Sequence, residues 1–211
     1  MKKRMLFLVA ALMACCISVS AQETKGASSL TIGFSPFGTT KAKIKKDEEK
    51  YEYDYKTYWN VNAGYEKEWN NAFSVLFELS YAHASFDKYD LKGTTVMFNP
   101  AQDDDMNHVT AAAYAGMICL QGVRFQFPIY VGLGAEYLKS GKAIDTFVFD
   151  VLTKVRAKYY VTDKIAVFVG GNAKWGWGGP KYTSDSGVKS NDYKVSHNVY
   201  NLELGVAIGL N

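Results

Sequence analysis

Between Thr57 and Phe86 apolar and polar residues alternate with period two. Trp59, Val61, Ala63, Tyr65 and Trp69 share one parity, and after Asn70 and Asn71 the set resumes as Phe73, Val75, Phe77, Leu79 and Tyr81. The other parity carries Asn60, Asn62, Gly64, Glu66 and Glu68, then Ser74, Glu78, Ser80 and Ala82. Side chains alternate across a strand, so this predicts two antiparallel strands joined by a tight turn, in a sheet with unlike faces. The strands exceed the usual length of about 5–6 residues, which calls for an explanation.

The same period recurs along the chain. A first strand is predicted over 29–37, ending at Pro36, with Leu30, Ile32 and Phe34 on one face. The mixed charges of 41–50 predict a solvated loop. Tyr51, Tyr53 and Tyr55 share the parity of Trp59 and extend the second strand backwards. After a polar stretch over 87–108, strands are predicted over 109–120, 127–138, 147–161 and 165–177. A polar loop over 178–198 then leads to a last strand, 200–210. Pro128 lacks a ladder donor, which suits the start of its strand. The pattern predicts eight strands, with short connections after the second, fourth and sixth and long ones after the first, third and seventh. Short turns on one side and long loops on the other are the habit of barrels in bacterial outer membranes, whose termini lie on the short-turn side.

Alternation alone also fits a soluble barrel with an apolar interior. The charges decide between the two. Lys154, Arg156 and Lys158 lie together in mid-strand, and facing lipid each would cost about 2–4 kcal/mol near the midplane. On the same polar parity of other strands lie Glu66, Glu68, Glu78, Glu136, Lys174 and Glu203. Closed into one small interior, these groups can neutralise one another. The expected fold is therefore all-β, an eight-stranded antiparallel up-and-down transmembrane β-barrel. Tyr65, Trp69 and Tyr159 are expected at the periplasmic boundary and Trp59, Tyr137, Trp175 and Trp177 at the outer one, as two aromatic girdles. Lys67 and His83 break the apolar parity near strand ends, where polar heads can reach the interface.

Composition changes the picture in three ways. Lys2, Lys3 and Arg4 precede an apolar run from Met5 to Ile17 and the small residues Val19, Ser20 and Ala21, the layout of a secretory signal over residues 1–21, leaving 22–211 as the barrel domain. Removing that segment takes three of the 24 Lys+Arg and no acid, leaving 21 against 21 Asp+Glu. The basic balance belongs to the signal, so nothing points to a nucleic-acid partner. Cys15 and Cys16 leave with it, and Cys119 alone remains. An internal disulfide is impossible, so stability falls to a closed fold.

The segment Glu203, Leu204, Gly205, Val206, Ala207, Ile208, Gly209, Leu210 runs polar, any, Gly, two of any, hydrophobic, any, hydrophobic. It is similar to the assembly signal of the small outer-membrane β-barrel proteins of diderm bacteria, and with the signal and the eight strands it resembles the outer-membrane-protein-X-like and porin-family barrels. The chain ends in Asn211 rather than an aromatic residue. The resemblance implies periplasmic chaperoning, insertion by the barrel-assembly machinery and a place among outer-membrane lipid and lipopolysaccharide.

Candidate chemistry is sparse. His83 and Ser85, two apart near the outer end of the third strand, are similar to the His-x-Ser pair of the lipid A deacylase family, with histidine as base and serine as nucleophile; the plain reading is an interfacial histidine and a strand-end serine. Asp103, Asp104, Asp105 and His108 lack the alternating ligands of a calcium loop and read as a solvated tip. Gly132 and Gly134 lie within a strand pattern and make no dinucleotide fingerprint. The interior charges Glu66, Glu68, Glu78, Lys154, Arg156 and Lys158 read as a structural polar core before an ion path. No catalytic, cofactor-binding or metal-binding residue is assigned. The expectation is a monomeric barrel with a structural or surface-interaction, adhesion-like role, presenting the loops 41–50, 87–108 and 181–198 to a surface protein partner. An exposed edge of the second strand is expected to pair with partner strands. The alternatives are a narrow porin-like channel, an outer-leaflet lipid-modifying enzyme and a soluble periplasmic lipocalin-like ligand binder.

Overall fold

The computed structural model describes residues 27–46, 49–69, 72–91, 94–96, 105–141, 144–178, 182–183, 189–190 and 194–210. The expected signal over residues 1–21, the turn residues Asn70 and Asn71, and Asp103 and Asp104 lie outside them. Eight long strands are present: β1 (Ser28–Lys46), β2 (Glu49–Trp69), β3 (Phe73–Leu91), β4 (Met106–Gln121), β5 (Phe125–Ser140), β6 (Ile144–Tyr160), β7 (Ile165–Gly178) and β8 (Lys194–Gly209). Each pairs antiparallel with its neighbour in sequence, and β8 returns to β1, so the sheet closes into a ring. Closure leaves no edge along the wall, as a sheet in lipid requires.

Short connections and chain ends share one rim. There Gly122 N donates to Phe125 O at 2.7 Å, Val161 N to Ile165 O at 2.9 Å, and Leu210 N to Ser28 O at 2.9 Å. At the opposite, outer rim the strands run further than the pattern predicted. The stretch 41–50, expected as a loop, is largely wall: β1 continues to Lys46 and β2 begins at Glu49. Likewise β3 reaches Leu91, β4 starts at Met106 and β8 at Lys194. The extension of β2 pairs with β1 on one side and β3 on the other, so the expected free edge is absent and these residues offer no ladder to a partner.

The expected lipid face is outside. Leu30, Ile32, Phe77, Leu79, Leu133, Phe149, Val169 and Leu202 are exposed on the outer wall. Around the outer rim of this belt, aromatic rings pair across strands: Trp59 with Tyr81, Tyr137 with Phe147 and Trp175 with Tyr200, at 5.6, 5.2 and 6.0 Å between centroids. Near the other rim Trp69, Phe73, Phe125 and Tyr159 are exposed, and the Lys67 ammonium lies over the Trp69 ring at 5.5 Å. Both girdles are thus where the alternation put them.

Near the outer girdle the alternation of β1 and β2 is broken. In β1 the register against β8 shifts between Phe34 and Phe37, and in β2 the register against β3 shifts between Lys56 and Tyr58. The β1–β2 ladder itself pauses between Ser35/Asn60 and Thr40/Tyr55. Pro36, which cannot donate to a ladder, sits in the break, as proline in a sheet does at bulges. An extra residue moves every later side chain to the other face. Ile32 therefore points to lipid while Ile44, of the same parity, is inside and 5% exposed. Tyr55 is likewise turned inward, at 6% exposed, although it shares the parity of outward Trp59; the shared face expected from sequence holds only below the bulge.

Candidate functional site: the filled interior and the raised rim

The interior is stacked in layers. Nearest the short-turn rim, Phe168, Ala166 and Ala207 pack with Tyr160. Above them the three basic residues of β6 meet acids from β2, β3 and β8. Lys158 Nζ lies 2.6 Å from both oxygens of Glu66 and 3.6 Å from Glu68 Oε1. Tyr130 donates to Glu66 at 2.5 Å. Arg156 Nη2 donates to Glu203 at 2.7 Å and to Glu78 at 3.1 Å, and its guanidinium lies 4.3 Å from the centre of the Phe168 ring. Lys154 contacts Glu78 and reaches Glu203 at 3.3 Å. Asn62 and Asn172 each donate to Glu203 at 3.1 Å.

Room for these long side chains comes from glycine. A Cβ on Gly170 would sit 3.2 Å from Arg156 Cγ and closer still to the Val155 carbonyl, and one on Gly33 would sit 2.6 Å from Asn62 Oδ1 and nearer still to Glu203. Any larger residue at either position would push into the ion-pair layer.

Above this layer lies a cavity of about 40 Å³, bordered by Asn60, Asn62, Ser80, Thr110, Lys174 and Asn201. A second polar layer follows, centred on Glu136. Its carboxylate meets Lys174 Nζ at 2.5 Å, His108 Nδ1 at 2.7 Å and His197 Nδ1 at 2.9 Å. The outer end is then closed by apolar packing of Ile44, Tyr55, Phe86, Met106, Leu138 and Ile144.

The structure brings together all nine interior charges singled out from sequence, and it changes the assignment of others. His108, expected in a solvated tip beside Asp105, is 2% exposed inside the barrel. His197, assigned to a polar loop, is fully buried. Both continue the inward parity of their strands, with Thr110 and Tyr114 and with Val199 and Glu203, so the signal was present but the loop boundaries hid it. Asp105 instead stays at the outer rim, where its Oδ1 accepts from Phe86 N at 3.0 Å. Gly132 lies within β5 with its Cβ position against the Tyr114 ring, and Cys119 is buried.

His83 faces outward as expected, but its nitrogens point away from a dyad with Ser85. Nδ1 is 3.0 Å from Asn107 Oδ1, and Nε2 is 3.6 Å from Asp105 Oδ2. Its ring packs against Trp59 at 5.7 Å between centroids. The outer rim itself carries charge on its outside: Lys41 to Asp54 at 2.9 Å, Lys43 to Glu52 at 3.0 Å and Lys56 to Asp87 at 3.2 Å.

A closed eight-stranded ring with a lipid belt, two aromatic girdles and charges inside has counterparts among solved structures. The outer membrane protein OprG from Pseudomonas aeruginosa aligns with 90% of this chain and 99% of its own, at TM-score 0.50 and 13% identity. The fold is that of small outer-membrane barrels. Neisserial surface protein A (NspA) aligns over 88% and 99% at TM-score 0.48 and 14% identity. The outer membrane protease OmpT from Escherichia coli aligns over 92% and 100% at TM-score 0.46 and 10% identity. No protein-family model matches the chain, and no curated protein sequence does. At such identities the likeness is one of fold, and roles among these barrels range from surface proteins to enzymes.

Proposed function

We propose that this outer-membrane barrel is a sealed scaffold whose work is done at its outer rim, as a structural or surface-interaction protein. The observation that carries this reading is the filled interior. Two ion-pair layers and an apolar plug occupy the lumen, and the cavity between them has room for a few waters, each needing on the order of 10–15 Å³. Meanwhile the wall continues past the outer girdle as an ordered, charged collar, which is where variable connections present their chemistry. In this reading residues 1–21 direct export, the assembly machinery inserts residues 22–211 as a monomer, and lipopolysaccharide surrounds the outer belt.

The test is made on cells and on purified protein together. Segments 97–104 and 184–188 are replaced by Gly-Ser runs of equal length, and surface adhesion is measured alongside heat-modifiable electrophoretic mobility. Adhesion is expected to fall while the folded band persists. Purified barrel in planar bilayers is expected to give no discrete conductance steps; steps from heat-modifiable protein would establish the channel instead. The lipid-modifying alternative loses support from the His83 geometry, because neither ring nitrogen is hydrogen-bonded to Ser85. Lipid A mass profiles of cells carrying Ser85→Ala are expected to match those of the parent.

A further inference from the structure

The chain has three histidines, and two of them meet inside the barrel. His108 of β4 and His197 of β8 pack edge to face with centroids 5.1 Å apart. Both aim Nδ1 at the Glu136 carboxylate of β5, and one ligating atom from each residue lies within 4.8 Å of the others. We propose that this cluster is a binding site for a borderline divalent cation, with zinc as its representative. Two imidazoles and a carboxylate are the donor set such ions favour.

Three observations support the site beyond the convergence itself. The first is orientation. His197 Nε2 lies 2.7 Å from Thr40 Oγ1, an outer hydrogen bond of the kind that fixes a ligating imidazole and directs its other nitrogen to the metal. The Tyr58 ring stacks on His108 at 6.0 Å.

The second is charge. Among the described residues six carboxylates point inward, from Glu66, Glu68, Glu78, Glu136, Asp150 and Glu203, against the cations of Lys154, Arg156, Lys158 and Lys174. With neutral imidazoles and every carboxylate ionised, the acids would exceed the bases by two in a low-dielectric lumen, an excess that one divalent cation cancels.

The third is Asp150. It is 2% exposed, yet neither carboxylate oxygen accepts a hydrogen bond from a described residue. Its space is kept by Gly176, where a Cβ would run into Oδ1.

Lys174 is the cation now in place, held by Glu136 and, at 3.3 Å, by Thr110 Oγ1. When the metal enters, the ammonium transfers to Asp150 and gives that carboxylate its missing partner. Zinc bonds of about 2.0–2.2 Å in a tetrahedron keep ligand atoms about 3.4 Å apart. The present 2.7 and 2.9 Å contacts of Glu136 therefore open by roughly half an ångström. The adjacent cavity of about 40 Å³ borders His108 and Lys174, so a water can complete the coordination.

The experiment refolds the full-length barrel in detergent with zinc sulfate, washes it with chelator and counts zinc per heat-modifiable barrel. X-ray absorption then reads the ligands. About one zinc per barrel, on nitrogen and oxygen donors including imidazole, is the expected result. His83→Ala retains it. Thr40→Val, which removes only the outer hydrogen bond, weakens retention roughly tenfold. Lys174→Met, which removes the competing ammonium, binds at least as tightly as the parent. Folded parent and folded Lys174→Met both free of zinc would overturn the proposal, as would zinc held equally by a folded His197→Gln barrel.

Discussion

Below the bulges of β1 and β2 the barrel is apolar outside and charged inside; at the outer end, beyond the Glu136 layer, it is charged outside and apolar inside. The two sections share the same strands. On β1 and β2 the inversion is made by geometry: Ile32 and Ile44 have the same parity, and the register break sends one to lipid and the other to the core. On β3 as far as Phe86, and on β5 and β6, the parity is unbroken and the inversion is made by residue type, with Glu78 giving way to Ala84 and Phe86, Glu136 to Leu138, and Arg156 to Val148 and Ile144. The physical cause is the outer solvent. In lipid, apolar residues are stable outside and the lumen can hold charges only in pairs. Once the wall stands in water the hydrophobic effect acts inward, as in any soluble protein. The comparison teaches that parity alone does not state a face. It must be read together with the solvent at that height.

The largest expected effect comes from the lower lumen. Arg156→Ala leaves Glu203 and Glu78 with Lys154 as their remaining cation. Removing one partner of a buried ion pair costs about 3–5 kcal/mol, so the urea midpoint of barrel refolded in liposomes is expected to fall steeply. Replacing Glu66 and Lys158 together, by Gln and Met, is expected to cost much less than either change alone. A double-variant cost equal to the sum of the two single costs would mean that the layer is not stabilised by pairing.

A sharper test uses one substitution at two heights of one strand. Ile44→Ala opens a hole in the upper plug and is expected to cost about 2–5 kcal/mol. Ile32→Ala, 61% exposed on the outer wall, is expected to cost well under half as much, because lipid fills the space. If both lose the same stability in urea titrations, the two sections do not differ in the way the structure implies.

The lower section was almost wholly legible in the sequence, and the upper section was not. Period two, the basic triplet of β6 and the girdle tryptophans specified the strand number, the closure and which face meets lipid. Register breaks carry little signal in a single sequence; Pro36 marks one, but a proline there reads as the end of a strand rather than as a bulge within it. The mixed charges of 41–50 looked like a loop because a strand standing in water has a polar outer face. Loop boundaries set too wide then concealed His108 and His197, half of the polar layer around Glu136. The legible part makes its own prediction: Leu133→Arg, on the lipid face, is expected to cost about 2–4 kcal/mol if it lies near the midplane, with the folded fraction in liposomes as the readout.

The smallest expected effect is at the collar, and it completes the contrast. Lys43 makes an ion pair with Glu52 at 3.0 Å, and its side chain is 34% exposed. In water such pairs contribute about 0–1 kcal/mol, since both partners are well solvated when apart and salt screens their attraction. Lys43→Ala is therefore expected to leave the urea midpoint nearly unchanged, and what little it costs should vanish in high salt. Lys158→Ala removes the same side chain from the lower lumen, where Lys158 is 1% exposed, and its cost should persist at any ionic strength. A salt titration of the two variants thus reads the surroundings of each lysine directly. Equal salt sensitivity at both sites would place Lys158 in contact with water and undo the sealed lumen on which the scaffold reading rests.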